Sequence, residues 1–356
     1  MKHQRLRDLF ELEYPVLQAP MAGAQLHELA LAVSEAGGLG CLPAALLSEA
    51  QAREQLGLLR AGTSKPVAVN YFAHVPPVPD VAHEAAWKQL LKSYYDELGV
   101  DFHAPTPVSN RQPFDLAACA MVEEFRPDVV TFHFGLPTPE LLDRVKATGA
   151  KVMSSATTPA EARWLAARGV DAVIAQGSEA GGHRGVFLTD EIDTQMGLFS
   201  LLPQIVDAVD VPVIAAGGIA EPRGVRAAFA LGAAAVQVGT AYLFTPEARP
   251  SKVYRAALED DAAEVTALTR LFTGRPARSI VNRLMRDLGP MNPAAPAFPL
   301  AGGALMPLRA AAEPLGSGDF GQLWSGQSVR LARRDLDAAG LTRWLGAIAA
   351  AEAAKA

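Results

Sequence analysis

The sequence is poor in cysteine and in aromatic residues, and it has no long uninterrupted run of apolar residues. Only two of its 356 residues are cysteines, and 7% are aromatic. Cys41 and Cys119 lie far apart and form no CxxC or Cys/His ligand pattern, so neither a disulfide framework nor a zinc site is expected. A run of about 18 apolar residues, as a membrane-spanning helix needs, does not occur.

An excess of basic residues is also missing. The chain has 32 Lys and Arg against 38 Asp and Glu, which gives a net charge of −6 at pH 7. Without long basic runs there is no electrostatic footprint for nucleic acid, and the first residues lack the apolar core of a signal peptide. We therefore expect a cytoplasmic protein whose partner is a small molecule, with no nucleic acid, membrane or metal ion. A homodimer is a further hypothesis.

Short apolar runs rich in Val, Ile and Ala recur along the first two thirds of the chain, separated mostly by segments of helical period. Because these runs do not alternate with polar residues, they are typical of strands buried on both faces of a parallel sheet. Hairpins are therefore not expected. The eight predicted strands are residues 16–21, 39–44, 67–72, 129–135, 151–156, 172–176, 211–216 and 234–240.

Eight such strands with crossover helices predict an α/β fold of the (β/α)₈ TIM barrel type, and an open doubly wound sheet is the alternative. We assign residues 1–245 to the barrel, with an insertion at about 73–121, after the third strand, that lies near the barrel mouth. Residues 246–356 are predicted to form a helical, proline-rich extension that packs on the barrel.

Glycines lie at the carboxyl ends of the last two predicted strands, where barrels commonly bind phosphate groups. A glycine turn lets the backbone approach an anion closely and offers its N–H groups as donors. Two such turns on neighbouring strands predict a phosphate site, although glycines that only permit tight turns are the alternative. The residues at these strand ends are Gly217, Gly218, Gln237, Val238, Gly239 and Thr240.

The loop after the sixth predicted strand has the sharpest signal, with four glycines in the ten residues 176–185. It brings His183 to the barrel mouth, and an imidazole is well suited to abstract a proton near neutral pH. We predict His183 as a general base, with a structural role as the alternative. His133, at the end of the fourth strand, is a second candidate imidazole.

Two further residues, Met21 and Asn70, end the first and third predicted strands and are expected at the same face of the barrel. The Asn70 amide could bind a ligand or cap its own strand. Met21 is core filler by default, but its position beside small residues also allows it to lie against a flat ring.

Two patterns in the last third of the chain are not interpreted as binding sites. Residues 316–321 spell GxGxxG, but no buried strand precedes them, so the context for dinucleotide binding is missing. Arginines at 275, 278, 283 and 286 lie close to helical spacing and are interpreted as a solvated or subunit-facing stripe.

Several motifs together resemble the bacterial nitronate monooxygenases, formerly called 2-nitropropane dioxygenases, over nearly the whole chain. The EAGGHRG loop and the QVGT segment are specific in combination, whereas AAGGI alone occurs in many FMN- and phosphate-binding barrels. The matching motifs are YPVLQAPMAG, AGGLG, VNYF, AQGSEAGGHRG, VPVIAAGGIAEPRGVRAAFALGAAAVQVGT and TGRPARSIVNRLMRDLG.

The resemblance implies an FMN-dependent enzyme that oxidises alkyl nitronates with O₂ to a carbonyl compound and an oxidised nitrogen species. Propionate 3-nitronate is the substrate it suggests. It further implies that Gly218 and residues 237–240 hold the FMN phosphate, and that Asn70, Gln176 and Gly181 contact the flavin. His183 matches the histidine that removes the α proton of a neutral nitroalkane.

Two alternatives stay open beside this one. An FMN-dependent NAD(P)H reductase, of the quinone or enoyl-acyl carrier protein type, shares the barrel and its glycine-rich loops. A non-catalytic flavin- or phosphate-binding barrel is the third hypothesis, although a storage protein needs no base. Chemistry of the IMP dehydrogenase kind requires a cysteine in the loop after the sixth strand, and this chain has none there.

Overall fold

A barrel of eight parallel strands forms the centre of the protein in the computed structural model, which describes residue 6 and residues 9–355. In the sheet the strand Val16–Gln18 pairs with the strand Ala235–Val238, and the bridge between Leu17 and Leu39 brings the first strand beside the second, so that the sheet nearly closes. The barrel strands are β1 (Val16–Gln18), β2 (Gly40–Pro43), β3 (Val67–Phe72), β4 (Val129–His133), β5 (Lys151–Ala156), β6 (Ala172–Gln176), β8 (Val213–Ala216) and β9 (Ala235–Val238).

Alternate residues of each strand enter two different apolar layers. In β6, Ala172 and Ile174 pack in the barrel interior, whereas Val173 and Ala175 pack in the layer between the barrel and its helices. Since both faces are buried, the strands carry apolar residues at successive positions, and this is why their sequences show no polar alternation. The predicted TIM barrel is confirmed, and every predicted barrel strand lies at its predicted place, several of them shorter by a few residues.

Thirteen α-helices with described bounds surround and extend the barrel. Their starts follow familiar capping chemistry: Thr158 accepts a hydrogen bond from the Glu161 N–H at 3.2 Å, and Ser48 and Gln51 form a capping box. The helices are α1 (His27–Glu35), α2 (Glu49–Gly62), α3 (Val81–Leu90), α4 (Lys92–Glu97), α5 (Leu116–Phe125), α6 (Pro139–Ala147), α7 (Pro159–Ala166), α8 (Leu198–Ala208), α9 (Pro222–Ala230), α10 (Lys252–Glu259), α11 (Arg283–Leu288), α12 (Met306–Ala312) and α13 (Ala338–Ala353).

A second, small sheet corrects the sequence prediction in the last third of the chain. It contains β10 (Thr266–Thr269), β11 (Ala277–Ile280) and the two-residue strand β7 (Gly182–His183), all antiparallel. Because β10 and β11 follow one another along the chain, they form a hairpin, which lies outside the eight barrel strands for which hairpins were not expected. The extension is therefore partly β rather than only helical.

The insertion after β3 packs on the C-terminal extension. Trp87 Nε1 donates to the Ala301 carbonyl at 3.0 Å, and the Tyr95 hydroxyl donates to the Ala304 carbonyl at 2.6 Å. The boundaries proposed for the barrel and the extension stay a prediction. Among the described residues, no helix combines the length and the apolar character needed to cross a bilayer.

Helix α1 lies close against the barrel at Gly40, and this position provides a test of the packing. A Cβ atom there would lie 1.8 Å from the Ala30 carbonyl oxygen, so that the backbone must move. We expect Gly40→Ala to lower the free energy of unfolding by about 3 kcal/mol, the upper range for overpacking. Urea denaturation measures the difference.

A matched control comes from Gly57, inside α2, where a Cβ would make only an ordinary contact of 3.9 Å with Phe125. Gly57→Ala should raise the free energy of unfolding by about 0.5–1 kcal/mol, because alanine favours a helix over glycine. Equal unfolding midpoints for the two variants would contradict the packing described for Gly40.

Candidate active site

A cavity of about 360 Å³ opens at the carboxyl ends of the barrel strands. This volume lies within the range of about 300–1,000 Å³ that is usual for small-molecule sites. The structure brings most of the predicted site residues together around it. Those that line it are Met21, Asn70, Gln176, Gly181, His183, Gly217, Gly218, Gln237, Gly239 and Thr240.

Val238 is placed differently from the other candidates. Its side chain is only 1% exposed and packs in the apolar layer outside the barrel, and its carbonyl accepts from the Ala19 N–H at 2.8 Å. Any contact between Val238 and a ligand would therefore involve its backbone.

The two glycine turns lie at one end of the cavity. Gly217 and Gly218 have φ angles of +109° and +70°, a backbone conformation that residues with a Cβ adopt at a cost. Thr240 Oγ1 accepts from the Gly326 N–H at 3.0 Å, so its own proton is free to donate to a ligand. Ser328 closes this end by donating its hydroxyl to the Gly218 carbonyl at 2.7 Å.

His183 lies on β7, which is paired with β11 through Ala277. Its Nε2 is 2.9 Å from the Thr273 hydroxyl oxygen, and this leaves Nδ1 as the nitrogen that a ligand can reach. The rings of Phe298 and Trp324 lie around it, with centroid distances of 5.5 and 5.3 Å. Burial, and next the positive charge of Arg111, hold the pKa of His183 well below its usual value. The imidazole is therefore neutral near pH 7 and able to accept a proton.

Two side chains hold the His183 carbonyl oxygen. Gln176 donates to it from Nε2 at 2.9 Å and accepts from the Gly185 N–H at 2.7 Å, so its amide spans the loop. His133 also lies 3.1 Å from that carbonyl through Nε2, and its Nδ1 lies 3.1 Å from the Ser155 hydroxyl. Because a carbonyl oxygen only accepts, His133 carries its proton on Nε2.

These contacts determine the protonation state of His133 and its role in the site. Both of its nitrogens are engaged, and burial lowers its pKa to about 4. It is therefore a neutral group that positions the His183 backbone, and it is not available as a second base.

Asn70 has a similar local contact, since its Nδ2 donates to the Thr131 hydroxyl at 2.7 Å.

Arg184 and Glu161, which the sequence reading did not single out, fix the loop from inside the protein. Arg184 is fully buried and donates to the carbonyls of Gln176 and Gly177, both at 2.6 Å. Burial lowers its pKa to about 10, so it stays charged near pH 7. Glu161, also fully buried, accepts from the Phe187 N–H at 2.7 Å. In the sequence, Arg184 follows His183 directly, but nothing marks it as a buried charge.

The interpretation of four arginines as a solvated stripe was wrong for Arg275 and Arg278. They belong to β11 and the turn before it: Arg278 is 8% exposed and donates to the Ser178 carbonyl at 2.7 Å. The Arg275 guanidinium lies 4.1 Å above the ring of Phe134 and donates to the Val186 carbonyl. Only Arg283 and Arg286, on α11, lie at the surface.

The GxGxxG segment at 316–321 forms a loop with no strand before it, as the sequence indicated. The carbonyls of Gly318 and Gly321 accept from Asn282 Nδ2 at 2.9 and 3.1 Å, so the loop closes on the start of α11. Within residues 6 and 9–355, no group of three or more His, Cys, Asp or Glu side chains could hold a metal ion.

Part of the cavity wall comes from the insertion, which was expected near the barrel mouth, and from the C-terminal extension, although the sequence singled out none of their individual residues as site residues. No local motif marks these residues, because only tertiary packing brings them to the barrel mouth. They include Arg111, Tyr254, Arg309, Gln322, Trp324, Gly326 and Ser328.

Comparison with known proteins identifies similar chains along the full length. A family profile described as "Nitronate monooxygenase" matches residues 3–345. A nitronate monooxygenase of Pseudomonas aeruginosa is 41% identical over 96% of this chain and 97% of its own length, and one of Paraburkholderia phytofirmans is 40% identical over 92% and 90%.

Solved structures show the same likeness. A nitroalkane oxidase from Streptomyces ansochromogenes superimposes with a TM-score of 0.88 at 39% identity, covering 99% of both chains. FabK from Thermotoga maritima is more distant, with a TM-score of 0.74 and 29% identity over 99% of this chain and 97% of its own.

The apolar surroundings of the site make stability depend on pH. His74 is 5% exposed, its Nδ1 has no hydrogen-bond partner, and its ring meets Phe298 edge-on at 4.8 Å. Burial, followed by the charge of Arg275, lowers its pKa to about 4. As the pH falls from 6.5 towards 4, the unfolded chain binds a proton that the folded chain excludes, so the folded state loses stability.

We expect the free energy of unfolding to fall by roughly 1.5 kcal/mol between pH 6.5 and 5 on account of His74 alone. His133 should add to this loss in the same pH window. The slope of the free energy of unfolding against pH reports how many more protons the unfolded state binds than the folded state. His74→Leu should reduce that number by about one in this pH range. Denaturant unfolding at several pH values measures that slope, and identical slopes for both proteins would rule out the assignment.

Proposed function

This chain belongs to the nitronate monooxygenase family, and we propose that it binds FMN in the barrel cavity and oxidises alkyl nitronates with O₂. The products are a carbonyl compound and an oxidised nitrogen species, and propionate 3-nitronate is the proposed substrate. The observation that carries the proposal is one cavity with two glycine turns at one end and a neutral, partly accessible imidazole farther along its wall.

The residues present suit FMN. An anionic phosphate would lie at the turns of Gly218 and Gly239, where the Thr240 hydroxyl is free to donate. The flat ring system would lie along the middle of the cavity, lined by Met21, Asn70 and the backbone of Gly181. Gln176 would act mainly by holding the His183 loop, because both ends of its amide already bind backbone groups.

Bound FMN supplies the redox chemistry between the nitronate and O₂, and the protein binds, orients and screens the reactants. His183 Nδ1 takes the α proton when the substrate is a neutral nitroalkane. The contact between Nε2 and Thr273 keeps the ring oriented while it does so. The rings of Phe72, Phe298 and Trp324 keep water away from the imidazole.

A nicotinamide-driven reductase is the second candidate, since the likeness to FabK extends over nearly all of both chains. Anaerobic mixing separates the two functions. Rapid bleaching of the flavin by a nitronate, with O₂ consumption when air is admitted, supports the monooxygenase. Bleaching by NADH or NADPH without reaction with nitronate would support the reductase. A protein that binds flavin but reacts with neither would be a binding barrel.

We also propose the cytoplasm as the location of the protein. Cys41 and Cys119 are both buried free thiols, and reduced cysteines are usual in that compartment.

Replacing the proposed base tests its role on two substrates. His183→Asn should keep bound flavin but lower turnover of neutral nitroalkanes by a factor of roughly 10²–10⁴, which is the usual contribution of a general base. Turnover of the pre-formed nitronate should fall far less, because that substrate has already lost its α proton. Steady-state O₂ uptake with each substrate measures both effects, and an equal loss on the two would contradict the assigned role.

A substitution at the second glycine turn tests the phosphate position. Gly239 has ordinary φ, and an added Cβ would meet only the Ala19 Cβ at 3.4 Å, so a side chain is sterically tolerated. Gly239→Asp should expel FMN by placing a carboxylate against the phosphate, whereas Gly239→Ala should retain it. The ratio of flavin to protein absorbance reports the outcome, and a fully loaded aspartate variant would refute the site.

A further inference from the structure

Arg111 is a guanidinium in the cavity wall that has no carboxylate partner among the described residues. It comes from the insertion after β3, and its one side-chain hydrogen bond is from Nη2 to Gln322 Oε1 at 3.1 Å. A guanidinium has five N–H donors in a fixed planar fork, so most of them remain available. Burial and the nearby charge of Arg309 lower its pKa to about 10, so it is still a cation near pH 7.

Other buried or cavity-lining arginines have strong partners. Arg184 and Arg278 donate to backbone carbonyls, and Arg309 is paired with Glu313 at 3.0 Å. A partly buried charge without a counter-ion is unfavourable unless a ligand completes it. Arg111 therefore has no negatively charged partner, and the cavity that it lines has room for an anionic ligand.

Residues 322–328 of the extension run along the cavity, and their contacts give the order in which Arg111, His183 and the glycine turns lie along its wall. Gln322 contacts Arg111, Trp324 lies beside His183, and Gly326 and Ser328 contact the glycine turns. The imidazole therefore lies between Arg111 and the glycine turns along this wall. Arg111 is also the charge that most affects His183, which places it near a ligand held at the imidazole.

We propose that Arg111 binds a planar, two-oxygen anionic group of the substrate and so selects anionic substrates over neutral ones. The inference rests on the proposed function. A guanidinium fork matches such a group with two parallel hydrogen bonds. Two groups have this chemistry: a distal carboxylate, as in propionate 3-nitronate, and the nitronate group itself.

The test compares Arg111→Gln and Arg111→Lys with the parent protein and with Arg309→Gln. Glutamine keeps a donor for Gln322 but loses the charge, and lysine keeps the charge but loses the fork. Arg309→Gln removes the same charge from the same cavity where it already has a carboxylate partner. Flavin content and thermal unfolding midpoints show that each variant is folded.

The first measurement needs no turnover. Titration calorimetry with propionate, and with uncharged propionamide of the same shape, reports the carboxylate contact directly. If the distal carboxylate is the ligand, Arg111→Gln weakens propionate binding by about 10- to 100-fold, since a hydrogen bond to a charged group contributes roughly 1.5–3 kcal/mol. Arg111→Lys has an intermediate effect, Arg309→Gln a change of at most about threefold, and propionamide binding does not respond.

The second measurement uses ethylnitronate, which has no carboxylate. If Arg111 holds the nitronate group, Arg111→Gln raises the KM for ethylnitronate by about 10- to 100-fold, whereas that KM is unchanged if Arg111 holds only a distal carboxylate. The inference is overturned if neither propionate affinity nor the KM of either nitronate depends on Arg111. Failure of the proposed function is seen separately, as a parent protein without bound flavin or without nitronate-dependent O₂ uptake.

Discussion

The pairing of a two-residue strand with the C-terminal extension is the contact on which the site depends. Gly182 and His183 are hydrogen-bonded to Ala277 and Arg278 of β11, and this turns a glycine-rich loop into part of a sheet. A free loop with four glycines would have large conformational entropy, and an imidazole on it would be poorly placed for proton transfer. The sheet, the Gln176 amide and the buried Arg184 remove that freedom around one residue.

The same pairing determines the electrostatics of the site. It draws His183 into apolar and aromatic surroundings, and it brings β11 and the preceding turn, with their arginines, against the loop. Burial and positive charge both disfavour the protonated imidazole. An imidazole that stays neutral over the physiological pH range follows from the fold itself, since no acidic residue in the described part of the chain raises its pKa.

Much of this architecture could be predicted from local sequence. The barrel strands are recognisable because they are buried on both faces, as Val173 and Ile174 illustrate by packing in different layers. The glycines at 217 and 218 were recognisable because positive φ favours glycine. Met21, Asn70 and Thr240 followed from strand ends alone, since the carboxyl ends of parallel strands meet at one face.

The remaining features depend on contacts between distant parts of the chain. A strand of two residues has no periodicity, so β7 is visible only through its partner about 95 residues later. Arg275 and Arg278 have helical spacing by accident, and whether they are buried depends on which strand they join. Gln322 and Arg111 are more than two hundred positions apart, and neither lies in a motif. Tertiary packing alone makes them neighbours.

The charge distribution also bears on which substrate suits the cavity. Arg111 and Arg275 contribute positive potential around His183, and no carboxylate among the described residues pairs with Arg111. Such a potential attracts a nitronate, which is an anion, but it does nothing to draw in a neutral nitroalkane. In the proposed reaction of the neutral compound it would act later, because the carbanion formed by proton transfer to His183 would be stabilised where it arises. Under the proposed function the same arginines would therefore favour binding of the nitronate and deprotonation of the nitroalkane, and the base would be needed only for the nitroalkane.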